Sequence, residues 1–467
     1  MYQRLAWVAC AALLLGACAQ VPLEQEAPAP EAALQAAPVR YPPATIEDAP
    51  LAAAKVARAH AEATMAPPPP PPAIWERLRA GFRIPDMDNR RVRRWERYYA
   101  ERPEYVEFMV EMGSHFLYYV TQEVERRNMP SEIALLPMIE SAYNPYAYSR
   151  SHASGMWQFI RSTAKNYGLR QNYWYDGRRD VIAATTAALD YLQDLHETFG
   201  TWELAIAAYN FGENGMSRSI ARNRKKKRPI TYEKLWMPRE TRNYFPKLQA
   251  VKNIISDPAR FGLKLAYVPD QPYFAAVKTH QHIDIKVAAE LAEVSVDEFR
   301  ILNPAHNKPV IRVVDGTETI LLPVGKVETF TKNLEACDEP LVTWQAYRMK
   351  RRDRLWKIAK KYGVSKAYLK EVNSIHPRRR VRPGQTIVVP LKSGAKPYLP
   401  DLPAPRFIRV RYWPQPKKLE PRDTLTSAPP QSSTVLAQTP AVSTDVTLTL
   451  AQPVQEDQLF AAYHPAD

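Results

Sequence analysis

The apolar residues between Ile74 and Leu263 recur every three or four positions, the spacing that places side chains on one face of an α-helix. This period constrains the fold more than any other feature, because it is sustained over about 190 residues. Two further helices are predicted at Val181–Phe199 and Trp202–Asn210. The sequence therefore predicts an all-α domain over residues 74–265. The spacing is clearest in Val92, Trp95, Tyr98, Tyr99, Tyr105, Phe108, Met109, Met112, Phe116 and Tyr119.

The chain after Leu265 loses this period and contains a repeat of short apolar runs. The segment Val294–Asn303 aligns position for position with Val364–Asn373, and each copy is followed by a strand-like run that ends in proline. An internal repeat indicates two copies of one structural unit. We therefore predict a mainly α protein, in which the all-α domain is followed by two small α+β modules of β-α-α-β order. These modules are expected at residues 270–325 and 343–391.

Proline-rich segments flank the parts that are predicted to fold. Proline accounts for 43 of the 467 residues and glycine for only 15, a balance that favours stiff spacers over flexible glycine linkers. Residues 19–73 are rich in Pro and Ala and include the six consecutive prolines Pro67–Pro72, so we expect an extended linker there. Residues 392–467 are rich in Pro, Thr, Ser, Gln and Ala without a sustained period, which predicts a disordered tail.

The segment Met1–Cys18 has the pattern of a bacterial lipoprotein signal peptide. Arg4 precedes an apolar run of about a dozen residues that is too short to span a bilayer, and Leu15-Gly16-Ala17-Cys18 is similar to a lipobox. We therefore expect Cys18 to carry the lipid that holds the chain on a membrane. Ala19, rather than Asp, follows the cysteine, which favours an outer-membrane lipoprotein of the cell envelope that faces the periplasm. An ordinary secretory signal cleaved nearby is the alternative.

The cysteine, histidine and charged residues exclude several kinds of site. Cys10, Cys18 and Cys337 are too few for a disulfide framework or a cysteine zinc site, and the nine histidines contain no His-x-x-x-His pair. We therefore expect no metal and no cofactor. The net charge of +15 includes the basic run Arg222–Arg228, which is not interleaved with the aromatic residues that a nucleic-acid site uses. We interpret the run as a solvated loop and expect no nucleic-acid partner.

Glu140 is a candidate for chemistry because it follows an almost wholly apolar segment. Ile133, Leu136 and Ile139 lie on one side of a predicted helix that ends near Glu140. A poorly solvated carboxylate has a raised pKa and can hold a proton at neutral pH, as a general acid must. The alternative is a carboxylate at a helix end that points to water.

Aromatic residues occur next to amides or small residues in three later segments. Gly155-Met156-Trp157-Gln158 combines a glycine that permits close backbone approach with an aromatic stacking face and a hydrogen-bonding amide. Tyr209-Asn210 lies at the end of a predicted helix, and Tyr244-Phe245-Pro246 follows. Aromatic faces and amide groups together suit the amphipathic, uncharged rings of sugars.

In this order, from about Trp95 to Pro258, the segments resemble the motifs of lytic transglycosylases with a goose-lysozyme-type fold. The four matching segments are Glu140-Ser141, Gly155-Met156-Trp157-Gln158, Ala208-Tyr209-Asn210 and Tyr244-Phe245-Pro246. The resemblance implies a lysozyme-like catalytic domain that cleaves the β-1,4 bond between N-acetylmuramic acid and N-acetylglucosamine in peptidoglycan. The expected products carry 1,6-anhydro ends, and the expected role is cell-wall turnover or remodelling. Catalysis is assigned to Glu140, and substrate binding to Ser141, Gly155, Met156, Trp157, Gln158, Tyr209, Asn210 and Tyr244.

The same resemblance implies a mechanism with one carboxylate. Glu140 would protonate the glycosidic oxygen and then act as base on the muramoyl 6-hydroxyl, without water. Most glycosidases use two carboxylates, so a single one favours assistance by the acetamido group of the substrate. Tyr209 and Asn210 would orient that group, and Gln158 the neighbouring sugar. The alternatives for a second carboxylate are Glu213 and Asp176.

The two modules resemble LysM modules, which bind glycans that contain N-acetylglucosamine. The second copy keeps the pattern from Tyr347 to Pro390, except that Arg352-Asp353-Arg354 stands where Gly-Asp-Thr is usual. The first copy lacks the aromatic and Gly-Asp-Thr positions, so we expect it to be degenerate. The expected partner is the peptidoglycan glycan strand. A non-catalytic murein-binding protein is the alternative function.

Overall fold

The structure, a computed structural model, describes residues 70–404. The predicted signal peptide at residues 1–18, Cys18 itself, nearly all of the predicted linker and the predicted tail beyond residue 404 lie outside these described residues. Within the described range, no helix combines the length and the apolar character that are needed to cross a membrane.

The segment from Ile74 to Ser256 forms α-helices, as its apolar spacing predicts. The helix predicted at Val181–Phe199 has those bounds, and the helix predicted at Trp202–Asn210 extends slightly further, to Phe211. We number the helices of this helical domain α1 to α10. They are Ile74–Ala80, Arg90–Ala100, Pro103–Gly113, Leu117–Arg126, Leu136–Ser141, Arg161–Asn166, Val181–Phe199, Trp202–Phe211, Glu213–Lys225 and Arg239–Ser256.

Side-chain caps determine where three of these helices begin. The side chain of Asn89 accepts hydrogen bonds from the amides of Arg91 and Val92 at the start of α2. Asp180 and Thr201 accept from the first turns of α7 and α8 in the same way. Each cap satisfies an amide that the first turn of a helix leaves unpaired, which stabilises the helix by about 1 kcal/mol.

Helix α10 packs against α2 and α8, and α8 in turn packs against α7. The apolar side chains along one side of α10 are buried in this core. Burial of each large apolar side chain contributes about 1.5–3 kcal/mol relative to exposure. This packing brings α8 and α10, which carry the third and fourth predicted motifs, side by side.

Two small modules follow the helical domain in the predicted β-α-α-β order. The elements of the first module, β1, β2, α11, α12, β3, β4 and α13, are Phe274–Thr279, Ile283–Asp284, Ile285–Leu291, Val296–Leu302, Val310–Ile311, Glu318–Pro323 and Val327–Glu335. Strand β1 pairs antiparallel with β4, and the short strands β2 and β3 form a second pair. The elements of the second module, β5, α14, α15 and β6, are Trp344–Arg348, Leu355–Lys361, Lys366–Val372 and Thr386–Pro390. Strand β5 pairs antiparallel with β6.

The internal repeat of the sequence has a structural cause. Asn303 and Asn373, which the alignment pairs, each donate through Nδ2 to a carbonyl of the last strand of their module and accept from a backbone amide of that strand. Both asparagines are buried, so these hydrogen bonds satisfy polar groups away from water. The expectation of a mainly α protein with small α+β modules is confirmed.

The first module and the residues after the second module contact the loop between α6 and α7. Asp176 N donates to Ala305 O at 2.9 Å, and Asn307 N donates to Trp174 O at 2.7 Å. Trp174 Nε1 donates to Pro400 O at 2.8 Å, and Tyr173 N donates to Leu402 O at 3.0 Å.

These contacts correct one prediction. The sequence predicts disorder from Lys392 onward, but residues 398–403 are extended and held against the fold. Leu399 and Leu402 lie against the buried cluster around Trp174, and Pro400 between them favours an extended backbone. The apolar residues among the prolines therefore provide enough burial to order this part of the chain.

Candidate active site

Glu140 lies in the last turn of α5, two residues after a segment that is buried from Ser131 to Met138. A 3₁₀-helix over Ser131–Leu135 leads into α5, and its residues are all buried, while Glu140 itself is partly exposed. Ala142, with φ of 52°, is in the left-handed region and ends the helix. The backbone therefore holds the Glu140 carboxyl at the boundary between core and surface.

The environment of Glu140 favours the protonated acid near neutral pH. Burial raises the pKa of Glu140 to about 7, the hydrogen bond from Tyr244 and the charge of Lys247 oppose this rise, and the charge of Glu240 adds to it. The Tyr244 hydroxyl donates to Glu140 Oε1. A carboxyl with a pKa near 7 can donate a proton and take one back at the same pH. The interpretation of Glu140 as a carboxylate that simply points to water does not fit these contacts.

Helix α10 supplies two groups beside Glu140. Tyr244 and Lys247 stand at positions i and i+3, so they lie on neighbouring positions of one helix face. Burial, followed by the charge of Glu140, raises the pKa of the Tyr244 phenol well above its usual value, so the phenol stays protonated. The Lys247 ammonium lies 4.6 Å from the centre of the Trp95 ring. Lys247 was not among the predicted site residues, although its spacing of three residues from Tyr244 in a predicted helix indicates that the two side chains share one face.

The turn at Gly155 is set by a close backbone contact. Gly155 has φ of +86°, and a Cβ atom there would lie 1.9 Å from the carbonyl oxygen of Arg178. Only glycine fits both the conformation and the space. The predicted close backbone approach at Gly155 is therefore confirmed, and the backbone that approaches it is that of Arg178 in the loop between α6 and α7.

The side chains of Met156 and Trp157 are buried in the core. Trp157 Nε1 donates to Thr185 Oγ1 at 3.1 Å, so the polar edge of the indole is also engaged inside the domain. The prediction that Trp157 offers a stacking face is therefore wrong. Burial depends on the helices that surround the turn, which the local sequence does not specify.

Backbone groups of this turn connect it to the other motifs. Ser141 Oγ donates to Met156 O at 2.9 Å, and Tyr209 OH donates to Trp157 O at 2.8 Å. Gln158 Nε2 donates to Gly155 O at 2.8 Å, so its amide braces the turn. The structure thus brings α5, the turn and the end of α8 together around Glu140.

Asn210 is held by α10. Thr241 Oγ1 donates to Asn210 Oδ1 at 2.7 Å, which orients the amide at the end of α8. Burial, followed by the charge of Glu140, raises the pKa of Tyr209 well above its usual value, so Tyr209 lies near the candidate acid. Thr241 was not among the predicted site residues.

The two alternatives for a second carboxylate differ in their surroundings. Asp176 is buried and forms an ion pair with Arg178 at 2.8 Å. Burial alone would raise the pKa of Asp176, but the hydrogen bond from Arg178 and the charges of Arg179 and Arg178 outweigh it and lower the pKa. Glu213 is exposed in the first turn of α9. Asp176 is therefore fixed as an internal ion pair, and Glu213 lies in water.

The structure also shows how the second module keeps its loop without the usual Gly-Asp-Thr. Asp353 Oδ2 accepts from the Tyr347 hydroxyl at 2.8 Å and from the Lys350 amide at 2.7 Å. The aspartate of the altered triplet therefore still closes the turn. In the described part of the chain, no group of three or more His, Cys, Asp or Glu side chains is arranged to hold a metal ion.

Comparison with known proteins gives three family matches. Residues 118–231 match the family described as the transglycosylase SLT domain. Residues 273–339 match the LysM-like domain of lytic transglycosylase MltD, and residues 347–390 match the LysM domain. The second and third matches cover the two modules that follow the helical domain.

Relatives with curated names match between 21% and 69% of the chain. The membrane-bound lytic murein transglycosylase D of Escherichia coli (strain K12) is 32% identical over 336 residues, which covers 69% of this chain and 73% of the relative. A protein of Alteromonas sp. (strain M-1) named for resistance to tributyltin chloride is 47% identical over 119 residues, 25% of this chain and 58% of the relative. The membrane-bound lytic murein transglycosylase C of Photorhabdus laumondii is 30% identical over 109 residues, 21% of this chain and 30% of the relative.

Proposed function

This chain belongs to the family of the membrane-bound lytic murein transglycosylase D, and we propose that it cleaves peptidoglycan strands through Glu140. It is a peptidoglycan lytic transglycosylase of the cell envelope, and its SLT and LysM domains bind peptidoglycan. The observation that carries it is the hydrogen bond from Tyr244 to a partly buried carboxyl whose pKa is about 7.

In the first proposed step, Glu140 acts as the general acid. Its proton passes to the glycosidic oxygen between N-acetylmuramic acid and N-acetylglucosamine as the C1–O bond breaks. The Tyr244 hydroxyl stabilises the carboxylate that this step leaves behind, because it already donates to Oε1. Lys247 adds a positive charge on the same side. The acetamido group of the muramoyl residue assists by binding C1 from its own ring.

In the second step, the same carboxylate acts as the base. Glu140 takes the proton of the muramoyl 6-hydroxyl while O6 bonds to C1 and the bond between C1 and the acetamido oxygen breaks, which forms the 1,6-anhydro ring, regenerates the acetamido group and restores protonated Glu140. No water is consumed, and the proton balance closes on one residue. A single acid–base group suits this cycle because a pKa of about 7 makes both transfers accessible near neutral pH.

The other motif residues are proposed to shape the site in two ways. Asn210 and Tyr209 bind or orient the acetamido group, and the hydrogen bond from Thr241 to the Asn210 oxygen supports this role because it fixes the orientation of the amide. Gly155 and Gln158 act mainly through the turn that they stabilise. In this proposal Met156 and Trp157 contribute their backbone carbonyls, which hold Ser141 and Tyr209 in place.

The experiment that tests this proposal is digestion of purified peptidoglycan by the full chain, with mass spectrometry of the products. The wild type should release anhydro-muramoyl ends, each about 18 Da lighter than the corresponding product of hydrolysis. The Glu140→Gln variant keeps the shape but has no proton to donate, so we expect its rate to fall by at least about 10²–10⁴-fold. Reducing muramic acid ends would contradict the proposed second step, and a Glu140→Gln variant with the wild-type rate would contradict the assignment of Glu140.

A further inference from the structure

Trp236 lies in the segment between α9 and α10 and presents its indole ring to solvent. Its side chain is 58% exposed, although its neighbours Leu235 and Met237 are both buried. Ser219 Oγ on α9 donates to the Trp236 carbonyl at 2.6 Å. The buried neighbours and this hydrogen bond fix the backbone, so the fold itself directs the ring outward.

An exposed tryptophan on a fixed backbone is well suited to binding. An apolar ring that is exposed to water lacks the stabilisation that burial provides. The fixed backbone keeps the Trp236 ring on the surface, so binding of a ligand is the way to bury it. Tryptophan also loses little conformational entropy on binding, because its side chain has only two rotatable bonds. A ligand that covers the ring therefore gains apolar contact at a small entropic cost.

The position of Trp236 connects it to the candidate active site. Its ring centre lies 6.3 Å from that of Phe211, with 60° between the ring planes. Phe211 directly follows Asn210, whose side chain is hydrogen-bonded to Thr241. Glu240, the residue before Thr241, lies close enough to Glu140 to raise its pKa. The two aromatic rings thus lie next to the candidate active site, beyond Asn210.

We propose that Trp236 and Phe211 form an additional sugar subsite, on which one pyranose ring of the glycan strand stacks beyond the two sugars at the scissile bond. This inference rests on the proposed function. The C–H faces of β-1,4-linked pyranose rings are apolar, while their edges carry hydroxyl and amide groups, so an aromatic face binds the ring and leaves the edges in water.

The surroundings of Trp236 favour a glycan over a protein partner. The exposed neighbours along the segment are charged, namely Glu233, Lys234, Arg239 and Glu240. A specific protein interface usually buries about 800 Å² on each partner around an apolar centre. The two rings are surrounded by charged residues and form an apolar patch that is too small to be the centre of a protein interface. The patch has about the size of one sugar ring.

The test is steady-state kinetics of the full chain on soluble glycan strands of graded length. Trp236→Leu keeps an apolar side chain but removes the aromatic face, so we expect KM for long strands to rise about 3- to 10-fold with kcat unchanged. For fragments that span only the two sugars at the scissile bond, KM should not change. Trp236→Phe should restore most of the affinity for long strands.

A matched control is Tyr267→Leu, because Tyr267 is 56% exposed and its hydroxyl is bonded to Pro71 O near the start of the described chain. This variant should leave KM unchanged at every length. An unchanged KM in Trp236→Leu would overturn the subsite, and so would an equal loss of kcat at all lengths together with a lower Tm, which indicates a structural role. Loss of self-association in light scattering, without an effect on KM, would assign the rings to a second copy of the chain.

The failure of this inference can be distinguished from failure of the proposed function. The identity of the product ends is measured on the wild type and does not depend on Trp236. Reducing ends would change the reaction but leave the length-dependent effect of Trp236→Leu measurable. Anhydro ends together with a length-independent Trp236→Leu would retain the reaction and remove the subsite.

Discussion

Three side chains of the helical domain determine the protonation of Glu140. Burial raises its pKa, the Tyr244 hydroxyl and the Lys247 ammonium lower it, and the charge of Glu240 raises it, so that it lies at about 7. The balance of these effects sets the pH at which Glu140 can act as an acid. The side chains around Glu140 therefore set the pH dependence of the enzyme.

Replacement of Lys247 by Met should shift activity to higher pH. Removal of a positive charge beside a carboxylate raises the pKa of that carboxylate, so Glu140 should stay protonated to a higher pH. The alkaline limb of kcat/KM against pH reports loss of the protonated acid, and we expect it to move up by about 0.5–1 pH unit. Lys247→Arg keeps the charge and should retain the wild-type profile. An unshifted limb in Lys247→Met would show that the ammonium does not act on Glu140.

Substitution of Gly155 by Ala should destabilise the protein and reduce its activity. The new Cβ would meet the Arg178 carbonyl at 1.9 Å in a backbone conformation that disfavours any side chain, which costs about 2–5 kcal/mol. Thermal unfolding and digestion rate measure the two effects. Gly168→Ala is the matched control, because Gly168 has φ of +72° but nothing lies within 4 Å of its added Cβ, so it should cost only about 1–2 kcal/mol. Equal losses in the two variants would rule out the close contact as the cause.

At the scale of elements, helix α10 and the loop between α6 and α7 organise the site. α10 carries Thr241, Tyr244 and Lys247, which contact Asn210 and act on Glu140. The loop carries Arg178, whose carbonyl lies against Gly155 and whose side chain is paired with Asp176. Helix α10 thus supplies the side chains that act at the site, and the loop holds the backbone around Gly155 in place.

The pairing of Asp176 predicts a structural effect for its mutation. Asp176→Asn leaves the fully buried Arg178 guanidinium without its counter-charge, which should cost about 3–5 kcal/mol in free energy of unfolding. Activity at temperatures below the lowered Tm should be retained, because the residue does not act on substrate. Glu213→Gln, at an exposed position, should change neither stability nor rate. A catalytic role would appear instead as a loss of kcat in a variant with the wild-type Tm.

At the scale of the whole molecule, the modules are joined to the helical domain through the loop that supports Gly155. Backbone hydrogen bonds connect Ala305 and Asn307 of the first module with Asp176 and Trp174 of this loop. The buried cluster that contains Trp174 also includes Val310 of the first module and Trp344 of the second. Deletion of a module would therefore expose apolar surface of the loop, so single substitutions are the safer way to separate binding from catalysis.

The predicted anchor is also a property of the whole molecule. Cys18 lies outside the described residues, and its proposed lipidation rests on the sequence Leu15–Cys18. Stable attachment to a membrane requires more than one acyl chain, which a lipidated Cys18 would provide. We expect Cys18→Ala to move the protein from the outer-membrane fraction to the soluble periplasmic fraction. Protein that stays in the membrane fraction after a salt wash would argue for another form of attachment.

The features that depend on local spacing could be predicted from the sequence. Helical periodicity predicted α7 and α8 closely, the internal repeat predicted the two modules, and the apolar segment before Glu140 predicted an acid with a raised pKa. Each of these follows from residues that are near one another in the chain or from the recurrence of one local pattern. The match of Glu140 and Tyr244 to separate motifs also anticipated two residues that the fold brings into contact.

Which aromatic side chains are buried and which are exposed depends on the tertiary structure. Trp157 lies in a motif that the sequence predicts to bind sugar, yet the helices around it bury the ring, while Trp236 outside the motifs is exposed. Lys247 acts on Glu140 from a distant part of the chain, and residues 398–403 are ordered by a loop that lies far earlier in the sequence. Burial and electrostatic proximity depend on which distant segments pack together. Local spacing carries no information about that packing.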